Sequence, residues 1–180
     1  MPFLLVLALL SQGKTKFVSH GSAVLDPSII SLESQPAALA DILMQTEAGV
    51  VLSDNVLGAF DREADRVEGL PKEATKRYPL IRQATTVKRR GQALILDVEV
   101  AFDDPQVARF ICQKILASYV DERLERRAVM LERKVRLIDE ELRQAKGPRA
   151  EQLKDEKARA ERQLRDRFSE LRILEGCTQP

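Results

Sequence analysis

The chain has no tryptophan, one histidine, two cysteines, and aromatic residues at only 4% of its 180 positions. Each scarcity removes a class of explanation. Cys112 and Cys177 are too few for the disulfide framework of a small secreted scaffold, and they have no metal-ligand spacing, so two free or buried thiols are expected. The single histidine, His20, has no second ligand following at a zinc-like interval, which points to a surface or interface side chain. An excess of one charge is lacking too. The 29 Lys and Arg balance 28 Asp and Glu to a net +1, interleaved rather than blocked, which leaves no strong field for nucleic acid or an anionic membrane.

A long apolar run is also missing. The stretch from Pro2 to Leu10, with Phe3, Leu4, Leu5, Val6, Leu7, Leu9 and Leu10, is far shorter than the ~20 residues a membrane-spanning helix needs. No Lys or Arg precedes it and no small-x-small cleavage site follows, so it is a poor signal peptide. The end of a longer transmembrane helix is the other reading. Gly13-Lys14-Thr15 resembles the close of a phosphate-binding loop, but Ala8 stands where the motif's first glycine is required.

What the sequence does contain is periodicity. Leu94, Leu96, Val98, Val100 and Phe102 alternate with Ala93, Ile95, Asp97, Glu99 and Ala101, predicting a strand with one packed and one partly wet face. Asp104 is a natural N-cap and Pro105 suits the first helical position, so a helix should follow directly. Its Val107, Phe110, Ile111, Ile115, Tyr119 and Val120 recur at helical spacing and should lie on the sheet. Val98, Val100, Phe102, Phe110, Ile111 and Ile115 are the expected core.

A first strand is expected over residues 15 to 27, and a second over 84 to 90, the latter joined through a tight turn at Arg90-Gly91 in a hairpin. Helical patterns begin at Pro36 and Gly49. Residues 61 to 79, with Gly69, Pro71 and Pro79, read as a polar connection with at most a short helix.

Beyond Tyr119 the chain turns into heptads. Leu124, Ala128, Leu131, Val135, Ile138, Leu142 and Ala145 step by three and four, with Lys, Arg, Glu and Asp on the flanks. Gly147-Pro148 interrupts the seam, since glycine suits a helix end and proline a helix start. A second seam through Leu153, Ala160, Leu164, Phe168, Leu171 and Leu174 predicts an antiparallel helical hairpin. The expected fold is therefore α+β: a small mixed sheet with packed helices, extended by a long antiparallel coiled-coil hairpin. The divisions are a truncated anchor or signal-like segment at 1–13, a base at 14–120, the hairpin at 121–176 with its break at 147–148, and a tail at 177–180.

Chemistry-bearing constellations are absent from the pattern. No catalytic, cofactor-binding or metal-ligating set is assigned, because the carboxylates lie on helical faces beside basic residues, as solvated ion pairs do. Lys88-Arg89-Arg90 has the charge to contact an anionic polymer or a phosphate headgroup, but as three charges without interleaved aromatics it reads better as a solubilising turn.

Four stretches taken in order resemble the Wzz-type polysaccharide chain-length determinants, the polysaccharide co-polymerases that include exopolysaccharide transport proteins. They are an apolar segment followed by TKFVSHGSAVLDP; the helical LADILMQTEAGVVLSDNVLGAF; ATTVKRRGQALILDVEVAFDDPQVARFICQKILASYVDERLE; and the coiled hairpin after it. The third carries most: strand, acidic residues, proline, then a helix with a tyrosine before a charged coil. The resemblance implies a homo-oligomeric bacterial inner-membrane protein whose periplasmic part influences the length or export of a surface polysaccharide. It also implies a non-enzymatic scaffold beside the polysaccharide polymerase and the growing polymer, needing no cofactor and no nucleic acid. By that comparison a truncated member is expected, with a stub for the first membrane helix and no second one, and a divergent soluble relative is the other reading. The alternative expectation is a coiled-coil adaptor that binds protein partners through its hairpin.

Overall fold

The computed structural model describes residues 16–25, 37–91, 94–165 and 171–177. The apolar run at Phe3 to Leu10 and the seam position Phe168 lie outside them. Strand β1 (Phe17–Leu25) is followed by helices α1 (Ala37–Val51), α2 (Asp54–Gly58), α3 (Asp61–Ala64) and α4 (Ala74–Ala84). Strands β2 (Thr85–Arg89) and β3 (Ile95–Phe102) come next, then helices α5 (Pro105–Leu142) and α6 (Pro148–Arg165) and strand β4 (Leu171–Glu175).

The sheet order is β2-β3-β1-β4 and every pairing is antiparallel. β1 lies in the interior of the sheet, with Gly21 opposite Val98 of β3 and Ala23 opposite Ile173 of β4. β2 and β3 form the expected hairpin, with Val87 opposite Val98. The turn is longer than the expected two residues: the Arg90 N–H donates to Ile95 O at 2.9 Å, and Gly91 takes a φ of 58°, a conformation that suits a residue without Cβ.

The alternation in β3 decides what packs. Leu96, Val98 and Val100 are buried, and on this face α5 sets Val107, Ile111, Ile115 and Leu116, all within one core that also takes in Ala23. Burying each such side chain contributes about 1.5–3 kcal/mol, so this contact is a major source of stability. Val51, Val56, Leu57, Phe60 and Ile81 continue the core under the small helices. The opposite face carries Asp97 and Glu99, half-buried, as the alternation requires.

Asp104 caps α5 through its carboxylate, which accepts from Gln106 N at 2.7 Å and Val107 N at 3.1 Å, with Pro105 in the first turn. The expected polar connection is more ordered than its composition implied. α3 and α4 both form within 61–84, and α4 runs through Pro79, held by buried Arg77 and Ile81 on one face.

Two expectations are corrected at the C-terminal end. Leu171, drawn as a seam position of the second helix, opens β4, so residues 171–175 belong to the sheet and not to the hairpin. Cys112 and Cys177 are bonded to each other across 65 residues of sequence. The physical reason is shared: the returning chain re-enters the base, and β4 pairs with the edge of β1 that β3 leaves open.

Candidate functional site

The feature that organises the molecule is the joint where α5 leaves the sheet. Its 38 residues form one helix, packed on β1 and β3 at the start and against α6 at the end. Three sets of side chains pack at that joint and in the helices beside it.

The first lies over β1. A Cβ placed on Gly21 would meet Leu116 Cδ1 at 2.5 Å, Cys177 Sγ at 2.9 Å and Cys112 Sγ at 3.3 Å. Only a residue without a side chain lets the helix and the disulfide approach the strand this closely.

The second marks the point of departure. Tyr119, fully buried, donates its hydroxyl to Glu47 Oε2 at 2.7 Å, and Arg123, one turn further, pairs with Glu47 Oε1 at 3.0 Å. Glu47 is a carboxylate of α1 with 5% exposure, and these two bonds neutralise and satisfy it. Burial, then the charge of Glu47 and the hydrogen bond to it, push the Tyr119 phenol far above its ordinary value. Next along α5, Glu122 accepts from Arg126 Nε at 2.5 Å and from Asn55 Nδ2 at 3.4 Å, and the Arg126 bond leads in holding its carboxyl below the usual range.

The third braces the helices beside the sheet. Arg77, 2% exposed, donates to Asp61 Oδ1 at 2.6 Å, Asp65 Oδ1 at 2.7 Å and Pro71 O at 3.1 Å. Burial lowers the guanidinium pKa, and the hydrogen bonds to Asp65 and Asp61 outweigh it, so the net direction is up. Tyr78 donates to Asp61 Oδ2 at 2.5 Å. Both terminal guanidinium nitrogens of Arg77 and the Tyr78 hydroxyl are thus engaged by neighbours from the same fold, the pattern of a brace, while Arg77 Nε is buried without a hydrogen-bond partner.

Of the expected core, Val98, Val100, Ile111 and Ile115 are fully buried, whereas Phe102 and Phe110 sit at the margin, Phe110 in an edge contact with Phe60 at 6.2 Å between centroids. Along the hairpin, Ile138, Leu153 and Ala160 are buried and Leu124, Leu131, Val135, Leu142 and Leu164 are half-buried between charged flanks. Gly147 turns the chain with a φ of 59°. Lys134 to Glu156 at 2.8 Å, Lys157 to Asp139 at 2.6 Å and Arg149 to Glu141 at 3.1 Å cross between the arms. Such exposed pairs are worth about 0–1 kcal/mol each, so they set register more than stability.

The basic turn is occupied: Lys88 pairs with Glu99, Arg89 with Asp41 and Arg90 with Asp97. His20 is exposed, 3.7 Å from Glu99. Among the described residues no group of three or more His, Cys, Asp or Glu could hold a metal ion, and no helix is long and apolar enough to cross a membrane. The depressions on the hairpin flanks are shallow and lined by side chains such as Gln152, Glu156, Arg159 and Gln163.

Glu47 and Arg77 escaped the reading of the sequence, though each left a trace. Glu47 falls at helical spacing between Leu43 and Val51, where an apolar residue belongs, and Arg77 shares a face with Ile81. A charge on an apolar stripe is the signal of a buried pair.

No protein-family model matches this sequence, and a search of curated proteins gives no match. Among solved structures, the chain aligns with a point mutant of the Shigella flexneri lipopolysaccharide O-antigen chain-length regulator WzzBSF at 13% identity and a TM-score of 0.32. That alignment covers 92% of this chain and 98% of the other. A fragment of WzzB, a polysaccharide co-polymerase from Salmonella Typhimurium, aligns at 12% identity and a TM-score of 0.27 over 92% of this chain and 97% of the other. At such TM-scores these likenesses carry no conclusion about what the chain does.

Proposed function

We propose that the protein is a non-enzymatic, homo-oligomeric scaffold that regulates the chain length or export of a bacterial surface polysaccharide. Its base would stand at the inner membrane beside the polymerase, and its hairpin would project into the periplasm. The observation that supports this reading is the joint itself: one helix begins on the sheet, leaves it unbroken as the first arm of a hairpin, and the return strand β4 rejoins the same sheet. Such a connection suits a part that would position other molecules. A disulfide in the core fits an oxidising compartment such as the periplasm.

The test is the size distribution of the surface polysaccharide in the bacterium that encodes the chain. Removing the gene should shift or broaden the distribution, and the intact gene should restore it while a Val98→Asp version should not. An unchanged distribution in the absence of the protein removes the proposal.

A second reading, the coiled-coil adaptor, is favoured by the exposed apolar side chains Val129, Met130 and Leu137 on α5. Under it, Met130→Glu would abolish partner binding and leave the polysaccharide distribution untouched.

A further inference from the structure

We propose that the Cys112–Cys177 disulfide is a redox-operated latch on β4, closed by an external disulfide and opened by dithiols, with the rest of the base indifferent to its state.

β4 lies at an edge of the sheet, where a strand has a neighbour on one side alone. It has five residues, pairs with β1 alone, and its register shifts between Ser22 and Ala23. It arrives only after the whole hairpin, so without a covalent tie its docking must overcome the closure entropy of a long loop. Cys177 follows two residues after the strand ends and fastens it to the third turn of α5. The base needs no such help. β1 pairs with β3 from Phe17 to Val24, β2 completes the hairpin, and Val107, Ile111, Ile115 and Leu116 pack in the same core as Leu96, Val98 and Val100.

The fold reserves the space for the bond. Gly21 lies beneath both sulfurs, at distances where a side chain would collide with Cys177 Sγ. Access is unequal: Cys112 is fully buried and Cys177 keeps 6% exposure. Closing therefore begins at Cys177. Its thiolate attacks a sulfur of an external disulfide, such as glutathione disulfide, and one thiol leaves. The Cys112 thiolate then displaces the second thiol from the mixed disulfide. Two protein S–H bonds and the donor S–S bond are lost, one protein S–S bond and two donor thiols are formed, and the two electrons pass to the donor. A dithiol reverses the sequence by attacking at Cys177. This inference stands whether or not the polysaccharide reading holds.

The experiment uses the full chain purified under oxidising conditions, with and without excess dithiothreitol. Alkylation should label no cysteine before reduction and both after it. Amide hydrogen exchange should show protection across residues 171–175 falling about 100-fold on reduction, the scale of a lost disulfide constraint, with Val98 and Val100 changing less than about 10-fold. Glutathione disulfide should restore the original pattern. The double variant Cys112→Ser, Cys177→Ser should match the reduced chain; if it does not fold, the reduced wild-type protein supplies the measurement. Free thiols in the oxidised preparation overturn the latch, as does unchanged protection in β4. An equal loss in β3 and β4 overturns it too, because the bond would then stabilise the whole fold and gate no part of it.

Discussion

The hydroxyl of Tyr119 donates to Oε2 of Glu47 across 2.7 Å, joining the helix that leaves the sheet to the first helix of the base. Tyr119→Phe keeps the ring and removes the donor, so Glu47 stays buried with Arg123 alone. The loss should be about 1–3 kcal/mol, the cost of an unmade bond to a buried acceptor. Urea unfolding of the variant beside the parent measures it, and a loss below experimental error would mean that solvent replaces the phenol.

Alkaline titration tests the two phenols together, since the chain has only two tyrosines. Burial, followed by the hydrogen bond to Asp61, pushes Tyr78 up to about 12, and Tyr119 is raised further in the same direction. A raised folded value means the native state holds its proton where the unfolded chain, ionising near 10, gives it up. The stabilisation is full below pH ~10 and is lost as pH climbs through the folded values. Tyrosinate absorbance should stay near zero at pH 10 and then rise together with loss of far-UV ellipticity. A smooth titration centred at pH 10 in a folded protein would contradict the buried placement.

Gly21→Ala probes the approach of α5 to β1. The flexible end of Leu116 can yield, but the disulfide sulfurs cannot move independently. Overpacking of this kind costs about 1–3 kcal/mol, and the variant's midpoint in denaturant should fall accordingly. An unchanged midpoint would place the helix further from the strand.

In the hairpin, Leu153→Ala should act locally. Leu153 is buried between the arms, so its truncation costs about 2–5 kcal/mol of the contact. Amides of α6 should exchange faster while those of β3 keep their protection. Equal acceleration in both would mean the hairpin and base unfold as a single unit.

Much of the base could be read in advance because its signals are local. The period of two in β3, the Asp104-Pro105 start of α5 and the Gly147-Pro148 break each state their geometry within a few residues. β4 could not, since LRILE is too short to separate a strand from one more helical turn, and the heptads before it carried the helical reading forward. What decided the matter is the open edge of β1, a partner distant in sequence. The disulfide was hidden for the same reason, as two cysteines separated by 65 positions announce nothing until the fold brings them together. Glu47 and Arg77 were illegible as partners, although each stood out as a charge at an apolar position.

One property of α5 reaches beyond stability. At 1.5 Å per residue its 38 residues span about 57 Å, and neither a proline beyond its first turn nor a glycine interrupts it. With no proline or glycine between Tyr119 and the tip, the helix has no built-in kink, so a sideways load at the tip would be carried toward β1 and β3 by elastic bending alone.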